Sequence, residues 1–392
     1  MTGRNRGAAP TVNTRAYSNI LVLILAVLQG VRTLGRRRRS ADPLRILIAH
    51  HLLLGDTLML TPLLAKLREQ FPRAAIVMTT PVHFVPLYRS RPYGVEALPY
   101  DPRNAATMMD LLKHSGFDVA FVPGDNRYSW LALALGARWI VAFAGDRPAY
   151  KSWPVDEYVS YSASPAACGD MLAHLAEGDA PSAFRPDAWG DPEYRPFDLP
   201  RSPYCVLHLG ARISNKLWGT EKWADLAAYL TRHGFTVVWS GGPGEERLVS
   251  AVDPNGRHVS YAGKLDLAQL WQLLKRAKLL VCPDTGVAHL GRVANVPTVT
   301  LFGPGSAVVC GAGEFWRQSP YHAVSVDDYP CRDQKLLFKR EITWLRTCSR
   351  DNRECANNLC MQVIDLAMVV SAVDRMLARE PNGTSARAEA RW

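Results

Sequence analysis

The chain has 392 residues, enough for two α/β domains, and 48% of them are hydrophobic and 21% charged. That composition excludes a largely disordered protein and is ordinary for a globular one. The formal net charge of +10 is concentrated at the N-terminus, because residues 1–44 hold eight arginines and one acid. The remaining body carries only about +3. This distribution argues against a nucleic-acid-reading face and favours an anionic membrane or an anionic substrate.

The N-terminal arm, residues 1–43, contains an apolar run from Ile20 to Leu28, with no charge between Arg15 and Arg32. That uncharged stretch is slightly shorter than the roughly 20 residues that cross a bilayer squarely. Arg36–Arg39 follow the run, which disfavours a cleaved signal peptide and would hold the body in the cytoplasm. Three interpretations stay open: a membrane anchor or interfacial helix, an extension without function, and a buried structural helix. We expect a cytoplasmic protein that is peripheral to, or anchored at, the inner membrane.

Short apolar strands alternate with helical segments in the first half of the chain. The predicted strands are residues 44–49, 75–79, 95–98, 119–122 and 139–143. After the first strand we predict a loop to Gly55, then a helix from about Thr57 to Gln70 with Pro62 in its first turn, where proline is tolerated. Such a β-α series predicts a parallel sheet with helices on both faces.

A proline-rich segment, residues 178–203, separates this half from a second β-α series. Its predicted strands are residues 204–209, 235–239, 279–282 and 299–302. Asp266 is predicted to cap one helix and Gly234 to end another. We therefore predict two Rossmann-like domains facing a central cleft, at residues 44–185 and 200–362, followed by a C-terminal helix and tail at 363–392. Ligands in such folds bind at the carboxyl ends of the strands.

The sharpest motif is Asp284-Thr285-Gly286, which follows the strand 279–282 and opens a helix containing His289. The glycine lets the backbone approach a ligand, and the N-terminus of a helix presents amides that suit a diphosphate. Taken alone, the motif has an equally good structural explanation, in which Asp284 caps the helix and His289 is a core residue.

Two other loops leave strand ends in the same half of the chain. Residues 210–219 contain Arg212 and Lys216, cations able to neutralise phosphate oxygens, although a solvated surface loop would look the same. The glycine-rich turn 240–246 ends in Glu245 and Glu246, whose carboxylates suit a ribose or sugar hydroxyl. Alone, that turn is a weak signal.

Asp56 follows the first strand of the N-terminal half. Helix capping is the commonest role at such a position, but across a cleft from a sugar diphosphate its carboxylate would take the proton from an attacking hydroxyl. The stretch has no G-x-G-x-x-G sequence and only Gly55 is available, which argues against a dinucleotide dehydrogenase.

Four elements occur in one order along the chain: Gly55-Asp56 before Pro62, the Lys216-x-Trp218 loop, a Gly-Gly-Pro-x-Glu turn, and Asp284-Thr285-Gly286-x-x-His289. With them the chain resembles glycosyltransferase family 9, the ADP-heptose:lipopolysaccharide heptosyltransferases, over about residues 44–377. The resemblance implies a GT-B fold, with the nucleotide sugar held by the second domain and the acceptor by the first.

By position, the resemblance implies that Asp56 is the catalytic base and Lys216 the diphosphate ligand. It assigns the nucleotide ribose to Glu245 or Glu246. It assigns the ADP-sugar site to Asp284, Thr285, Gly286 and His289, and we add Arg212 as a substrate-binding residue because of its charge.

The predicted reaction is an inverting, metal-independent transfer of a heptose or related sugar from an ADP-sugar to a hydroxyl of a lipopolysaccharide core or similar acceptor. No cofactor is expected. The expected partners are the nucleotide sugar, a lipid-linked or lipopolysaccharide acceptor and the inner-membrane surface, without nucleic acid. The alternatives are a protein (autotransporter-type) heptosyltransferase, a sugar-nucleotide epimerase or hydrolase, and a non-catalytic ADP-sugar binding module, since fold alone decides none of these.

Four cysteines lie near the C-terminus: Cys331, Cys348, Cys355 and Cys360. Their spacing lacks the C-x₂-C knuckle that is typical of zinc sites. Some family relatives that glycosylate proteins bind iron through four cysteines, so the resemblance keeps a metal open beside reduced structural thiols and redox pairing. A disulfide framework is not expected in a cytoplasmic body.

Overall fold

The computed structural model describes residues 14–33, 38–200, 203–326, 329–350, 353–355 and 357–378, and these form two parallel six-stranded sheets. Residues 1–13 and 34–37 of the predicted arm, 201–202 of the linker and 379–392 of the tail lie outside the described residues. The strands of the first sheet are β1 (Arg45–Ile48), β2 (Ala75–Thr80), β3 (Val95–Pro99), β4 (Val119–Val122), β5 (Ile140–Phe143) and β6 (Glu157–Val159). Those of the second are β7 (Tyr204–His208), β8 (Thr236–Ser240), β9 (Val259–Ser260), β10 (Leu279–Pro283), β11 (Thr298–Phe302) and β12 (Tyr321–Ser325).

Both sheets have the same strand order, β3-β2-β1-β4-β5-β6 in the first and β12-β11-β10-β7-β8-β9 in the second. Every neighbouring pair in them is parallel. The order reverses between β1 and β4, and again between β7 and β10. Loops leaving such strands diverge and open a crevice at the carboxyl edge. The predicted α/β fold with two Rossmann-like units is confirmed.

Helices surround the two sheets, which is why the central strands are buried on nearly every residue. The helices are α1 (Thr14–Thr33), α2 (Leu54–Leu58), α3 (Thr61–Gln70), α4 (Ala105–Leu112), α5 (Tyr128–Ala134), α6 (Cys168–Ala173), α7 (Thr220–Arg232), α8 (Glu246–Val252), α9 (Leu267–Lys275), α10 (Gly286–Val293), α11 (Leu359–Gln362) and α12 (Leu366–Leu377). Asp266 caps α9 in a reciprocal capping box with Gln269, as predicted.

The helix predicted from Thr57 is wrong in its start and in its continuity. α2 already begins at Leu54, so Gly55 and Asp56 lie inside a helix and not in a loop before one. A second helix, α3, begins at Thr61 with Pro62 in its first turn. Proline has no N–H to donate and clashes with the carbonyl four residues earlier, so one helix cannot run through this position undisturbed.

The helix of the N-terminal arm packs on the first sheet's outer layer, against α4 and α5. Its buried positions are Ser18, Val22 and Ala26, which recur every four residues along one face. In the part of the chain that the structure describes, none of the helices combines the length and apolar content that a membrane crossing requires.

A segment late in the chain, residues 329–350, bridges the two sheets. It contains a small hairpin, β13 (Leu336–Leu337) and β14 (Arg340–Glu341). The buried Arg340 guanidinium donates to Asn126 Oδ1 at 2.7 Å and to the Ala144 carbonyl at 3.0 Å, both in the first half of the chain. Trp344 Nε1 donates to the Ser162 carbonyl at 2.8 Å. This segment therefore ties the two halves together, and 44–185 and 200–362 stay our proposed domain boundaries.

Candidate active site

The strand order of each sheet reverses at one point, and the loops there contain most of the predicted catalytic and binding residues. Asp56 lies on α2 just beyond β1, Lys216 ends a short 3₁₀ helix (Ser214–Lys216) beyond β7, and Asp284 follows β10 directly. The carboxyl ends of these strands face the same crevice, so residues far apart in sequence meet there.

Lys216 and Asp284 form the ion pair at the centre of this crevice. Lys216 Nζ donates to Asp284 Oδ2 at 2.6 Å and to the Asp284 carbonyl at 3.0 Å. The Asp284 side chain is buried, and a β-carbon added to Gly305 would lie 2.3 Å from Oδ2, so glycine is required there. Burial opposes the charge on Lys216, but the nearby Asp284 and Asp56 carboxylates outweigh it and raise the pKa of the ammonium above its usual range.

Asp56 is half-buried and does not act as a helix cap. Leu53 occupies the cap position of α2, without a side-chain hydrogen bond. Burial, and after it the Asp284 carboxylate, raises the pKa of Asp56 from 3.8 to about 6, against the opposing effects of Lys216 and Arg212. A carboxylate with this pKa is ionised at neutral pH yet more basic than an exposed one, which suits a general base.

Two glycines let the crevice walls touch, Gly55 on α2 and Gly286 on α10. A β-carbon on Gly286 would lie 3.1 Å from Leu54 Cβ and 3.2 Å from the Gly55 amide nitrogen. A β-carbon on Gly55 would lie 2.9 Å from Cδ2 of His289. The close approach of the two helices therefore holds Asp56 beside the Asp284 turn.

His289 is buried on α10 one turn beyond this contact. Burial, followed by the charges of Arg292 and Lys216, lowers the pKa of its imidazole well below the usual range. The ring is therefore neutral at physiological pH, a hydrogen-bonding group and not a cation.

A cavity of about 970 Å³, which we call the donor cavity after the role predicted from the sequence, opens beside the Asp284 turn. Of the predicted residues, Arg212, Glu245 and Thr285 line it. Glu245 Oε2 accepts from the Gly242 amide at 2.6 Å, and a β-carbon on Gly210 would overlap the Glu245 carboxylate. The glycine-rich turns thus position Glu245 on the cavity wall. Thr285, also on this wall, caps α10, because its Oγ1 accepts from the Val287 amide at 3.2 Å.

A second cavity of about 960 Å³, which we call the acceptor cavity because the sequence predicts acceptor binding by the first domain, lies on the first sheet's side. Its lining includes the aromatic residues Tyr100, Tyr128 and Trp130, together with His51 and Arg103. Both cavities are lined by Val82 and His83, which lie on one short 3₁₀ helix. This turn is the shared wall of the two spaces.

Sequence reasoning missed two residues here, His83 and Cys310. The Cys310 sulfur and the ligand atoms of Asp284 and His289 lie within 4.8 Å of one another, a set that resembles a metal site. The Lys216 ammonium already sits 2.6 Å from Asp284 Oδ2 and would repel a cation, so the donor set fits a metal poorly. Cys310 lies in the loop that follows β11, and β11 is the neighbour of β10. That position is the one feature of the sequence that could have pointed to Cys310.

The four C-terminal cysteines lie close enough for their thiols to influence one another electrostatically. Burial, together with the thiols of Cys331, Cys355 and Cys348, raises the pKa of Cys360 to about 11. All four are free thiols. Within the described residues, no three of their sulfurs come within 4.8 Å of one another, the separation that a shared ion would require.

The sequence profile of glycosyltransferase family 9 (heptosyltransferase) matches residues 108–335, which is more than half of the chain. The chain belongs to glycosyltransferase family 9. Lipopolysaccharide heptosyltransferase 3 of Escherichia coli K12 is 22% identical to this glycosyltransferase over 358 residues, covering 83% of this chain and 96% of the relative. A second lipopolysaccharide heptosyltransferase 3, from Escherichia coli, is 27% identical over 189 residues, or 46% of this chain and about half (49%) of the relative.

Among solved structures, the E. coli ADP-heptose lps heptosyltransferase II superimposes on this family 9 glycosyltransferase with a TM-score of 0.64 and 18% sequence identity. The match covers 85% of this chain and 98% of that protein. At this identity the likeness shows the fold, and it confirms the GT-B arrangement expected from the sequence.

Proposed function

We propose that this glycosyltransferase transfers a heptose from ADP-heptose to a hydroxyl of a lipopolysaccharide core, with inversion at the anomeric carbon. The names of the relatives support the donor and the acceptor. The observation that carries the proposal is a carboxylate with a raised pKa, Asp56, facing the Lys216–Asp284 pair at a helix N-terminus.

The donor diphosphate would lie at the N-terminus of α10. The Val287 amide is used by the Thr285 cap, so we assign phosphate contacts to the amides of Thr285 and Gly286. An ammonium group has three N–H donors, and Asp284 engages two of those of Lys216, which leaves one for a phosphate oxygen.

The remaining donor contacts belong to the donor cavity. Arg212 is exposed on its wall and would take a second phosphate oxygen, while Glu245 would accept from the ribose hydroxyls. Neutral His289, beside Gly55, would hydrogen-bond the sugar without adding charge.

In the reaction, the acceptor hydroxyl gives its proton to the Asp56 carboxylate and its oxygen attacks the anomeric carbon from the face opposite the diphosphate. The bond from the anomeric carbon to the diphosphate breaks through an oxocarbenium-like transition state, and ADP leaves with the bonding electrons. Lys216 and the positive end of α10 stabilise the charge that builds on the leaving group.

The acceptor would enter through the acceptor cavity and meet the donor at the wall formed by Val82 and His83. The basic and aromatic lining of that cavity suits a phosphorylated sugar. A protein at the membrane surface in the cytoplasm, as we expected from the arm, would meet such a lipid-borne acceptor there.

Asp56→Asn tests the proposal, because it removes the base and keeps the shape. We expect turnover of ADP-heptose to fall by about 10²–10⁴. Thermal shift should still report stabilisation of the variant by ADP-heptose, and not by UDP- or GDP-sugars. Asp110→Asn, which alters an exposed ion pair with Lys113, is the matched control and should be fully active. Near-normal turnover in Asp56→Asn would refute the assignment.

One alternative, a protein heptosyltransferase, stays open because the four C-terminal thiols influence one another electrostatically, although no three of their sulfurs among the described residues approach to within 4.8 Å. Iron bound stoichiometrically to the purified protein would favour that acceptor class over lipopolysaccharide. Donor consumption without any acceptor would instead indicate an epimerase or hydrolase.

A further inference from the structure

The outer face of α1 is apolar from Ile20 to Val31. Six side chains at helical spacing form this face, which we call the α1 stripe, and each is 49–70% exposed. The stripe consists of Ile20, Leu23, Ile24, Val27, Leu28 and Val31. A helix on the surface of a water-soluble domain ordinarily turns charged and polar residues outward, so a continuous stripe of this kind marks a contact surface.

The opposite face of α1 fixes how that contact can form. Ser18, Val22 and Ala26 are buried against the first sheet's outer helices, so protein and not lipid surrounds this side. α1 therefore lies along the surface of the domain with its stripe outward, the geometry of a helix that lies in the plane of an interface.

Exposed aromatic side chains stand beside α1. Trp153 is 72% exposed and Tyr150 is 53% exposed, and both line the acceptor cavity together with Val22 and Leu23 of α1. Trp130 holds them in place, since its ring packs edge-on against Trp153 and its Nε1 donates to the Tyr150 carbonyl at 2.9 Å. Tryptophan and tyrosine are enriched at the level of lipid headgroups.

The charge around α1 completes the pattern. No acidic residue precedes Asp42, whereas arginines stand on both sides of the apolar run. Arg39 is paired with Glu157 and Glu177, which leaves Arg38 as an exposed cation among the described residues of this stretch. Basic residues close to an apolar face attract anionic lipids by about 1 kcal/mol each.

We propose that the α1 stripe and Trp153 together form a docking surface for an anionic lipid bilayer, with α1 lying in the interface. The acceptor cavity then opens at the level of the headgroups, because its rim is built from Leu23 and Trp153 of the same surface. That consequence rests on the proposed function, in which a lipid-borne acceptor enters this cavity. The bilayer contact itself does not depend on it.

The test is sedimentation of the full chain with vesicles, in the absence of donor and acceptor. Wild type should bind phosphatidylglycerol-containing vesicles more tightly than pure phosphatidylcholine vesicles, and less tightly as salt is raised. The double variant Ile24→Glu/Leu28→Glu changes two stripe residues that lie outside both cavities. It should bind anionic vesicles at least about tenfold more weakly.

Three further measurements separate the possible outcomes. Val259→Glu, an equally exposed apolar position on the second sheet, should bind vesicles like wild type. Thermal unfolding of the stripe variant, and its turnover on a lipid-free core fragment, should match wild type. Equal vesicle binding by wild type and the stripe variant would overturn the proposal. A wild-type dimer that the stripe substitutions dissociate would also overturn it, and would show that the stripe contacts a second copy of the chain. Vesicle binding without any sugar transfer would count against the proposed function alone.

Discussion

Asp56 is held among charges of both signs, and its titration should reveal them. Burial, and after it Asp284, raises its pKa to about 6, while Lys216 lowers it. A base must be deprotonated, so kcat/KM should fall as the pH drops below about 6 and should level off above it. We call this fall of kcat/KM at low pH the acid limb. In Lys216→Gln the cation that lowers the pKa of Asp56 is lost, so the acid limb should move to higher pH.

The measurement is the pH profile of kcat/KM for the two proteins, with Lys113→Gln as a control at an exposed ion pair on α4. The control should leave the limb in place. If the acid limb also keeps its position in Lys216→Gln, then Asp56 is not the titrating base.

At the residue scale, the sequence was informative about types and positions but not about pairing. Asp56, Lys216 and Asp284 each stand just beyond a strand, which made them candidates. The 2.6 Å contact between Lys216 and Asp284 joins loops 68 residues apart, and no local pattern records such a contact. His83 belongs to no motif at all, because it acts only through its place between two cavities.

At the scale of secondary-structure elements, the close contact between α2 and α10 should be necessary for activity. In Gly286→Ala the new β-carbon would press on Leu54 Cβ and on the Gly55 backbone, which cannot rotate away. The two helices would have to separate, and kcat/KM should fall by about 100-fold, as expected for a catalytic group displaced by about 1 Å.

Gly30→Ala is the matched control, since a β-carbon there meets only Leu133 Cδ2 at 3.8 Å and alanine favours the helix. Steady-state kinetics of the two variants provide the comparison. Wild-type kinetics in Gly286→Ala would show that the helices do not need this approach.

Element prediction succeeded where burial imposes a strong pattern and failed where it does not. The nine predicted strands all exist, and the missed ones are the edge strands β6, β9 and β12 together with the short hairpin strands β13 and β14. The edge strands β6 and β9 mix exposed and half-buried residues, and β12 is half-buried at four of its five residues, so none of the three shows an apolar run. The division between α2 and α3 was missed because proline was placed in the first turn of a longer helix.

At the scale of the whole molecule, we expect the bridging segment 329–350 to contribute to the free energy of unfolding. Arg340 is buried between the halves, with Asn126 at 2.7 Å and Asp146 at 3.5 Å. Arg340→Met should lower the free energy of unfolding by about 3 kcal/mol, near the lower end for a broken buried pair because Asp146 keeps Lys151. Urea denaturation measures the change, and the exposed Arg346→Met should cost less than about 0.5 kcal/mol. Equal stability of the two variants would mean that Arg340 does not tie the halves together.

At this largest scale the two-sheet architecture followed from the sequence, because two β-α series on either side of a proline-rich linker allow few other folds. The bridge did not. Arg340 binds Asn126 across 214 positions of sequence, in a segment with little regular structure.

The short helix that carries Val82 and His83 separates the two cavities, and this has a consequence for how the enzyme can diversify. Under the proposed function, a substitution deep in either cavity alters the recognition of one substrate and leaves the other untouched. A substitution in this turn alters both at once. On the same proposal, descendants of such a protein could exchange acceptors through substitutions around Trp130 and Tyr128 while they keep the donor, whereas a substitution in the turn between the cavities would affect both.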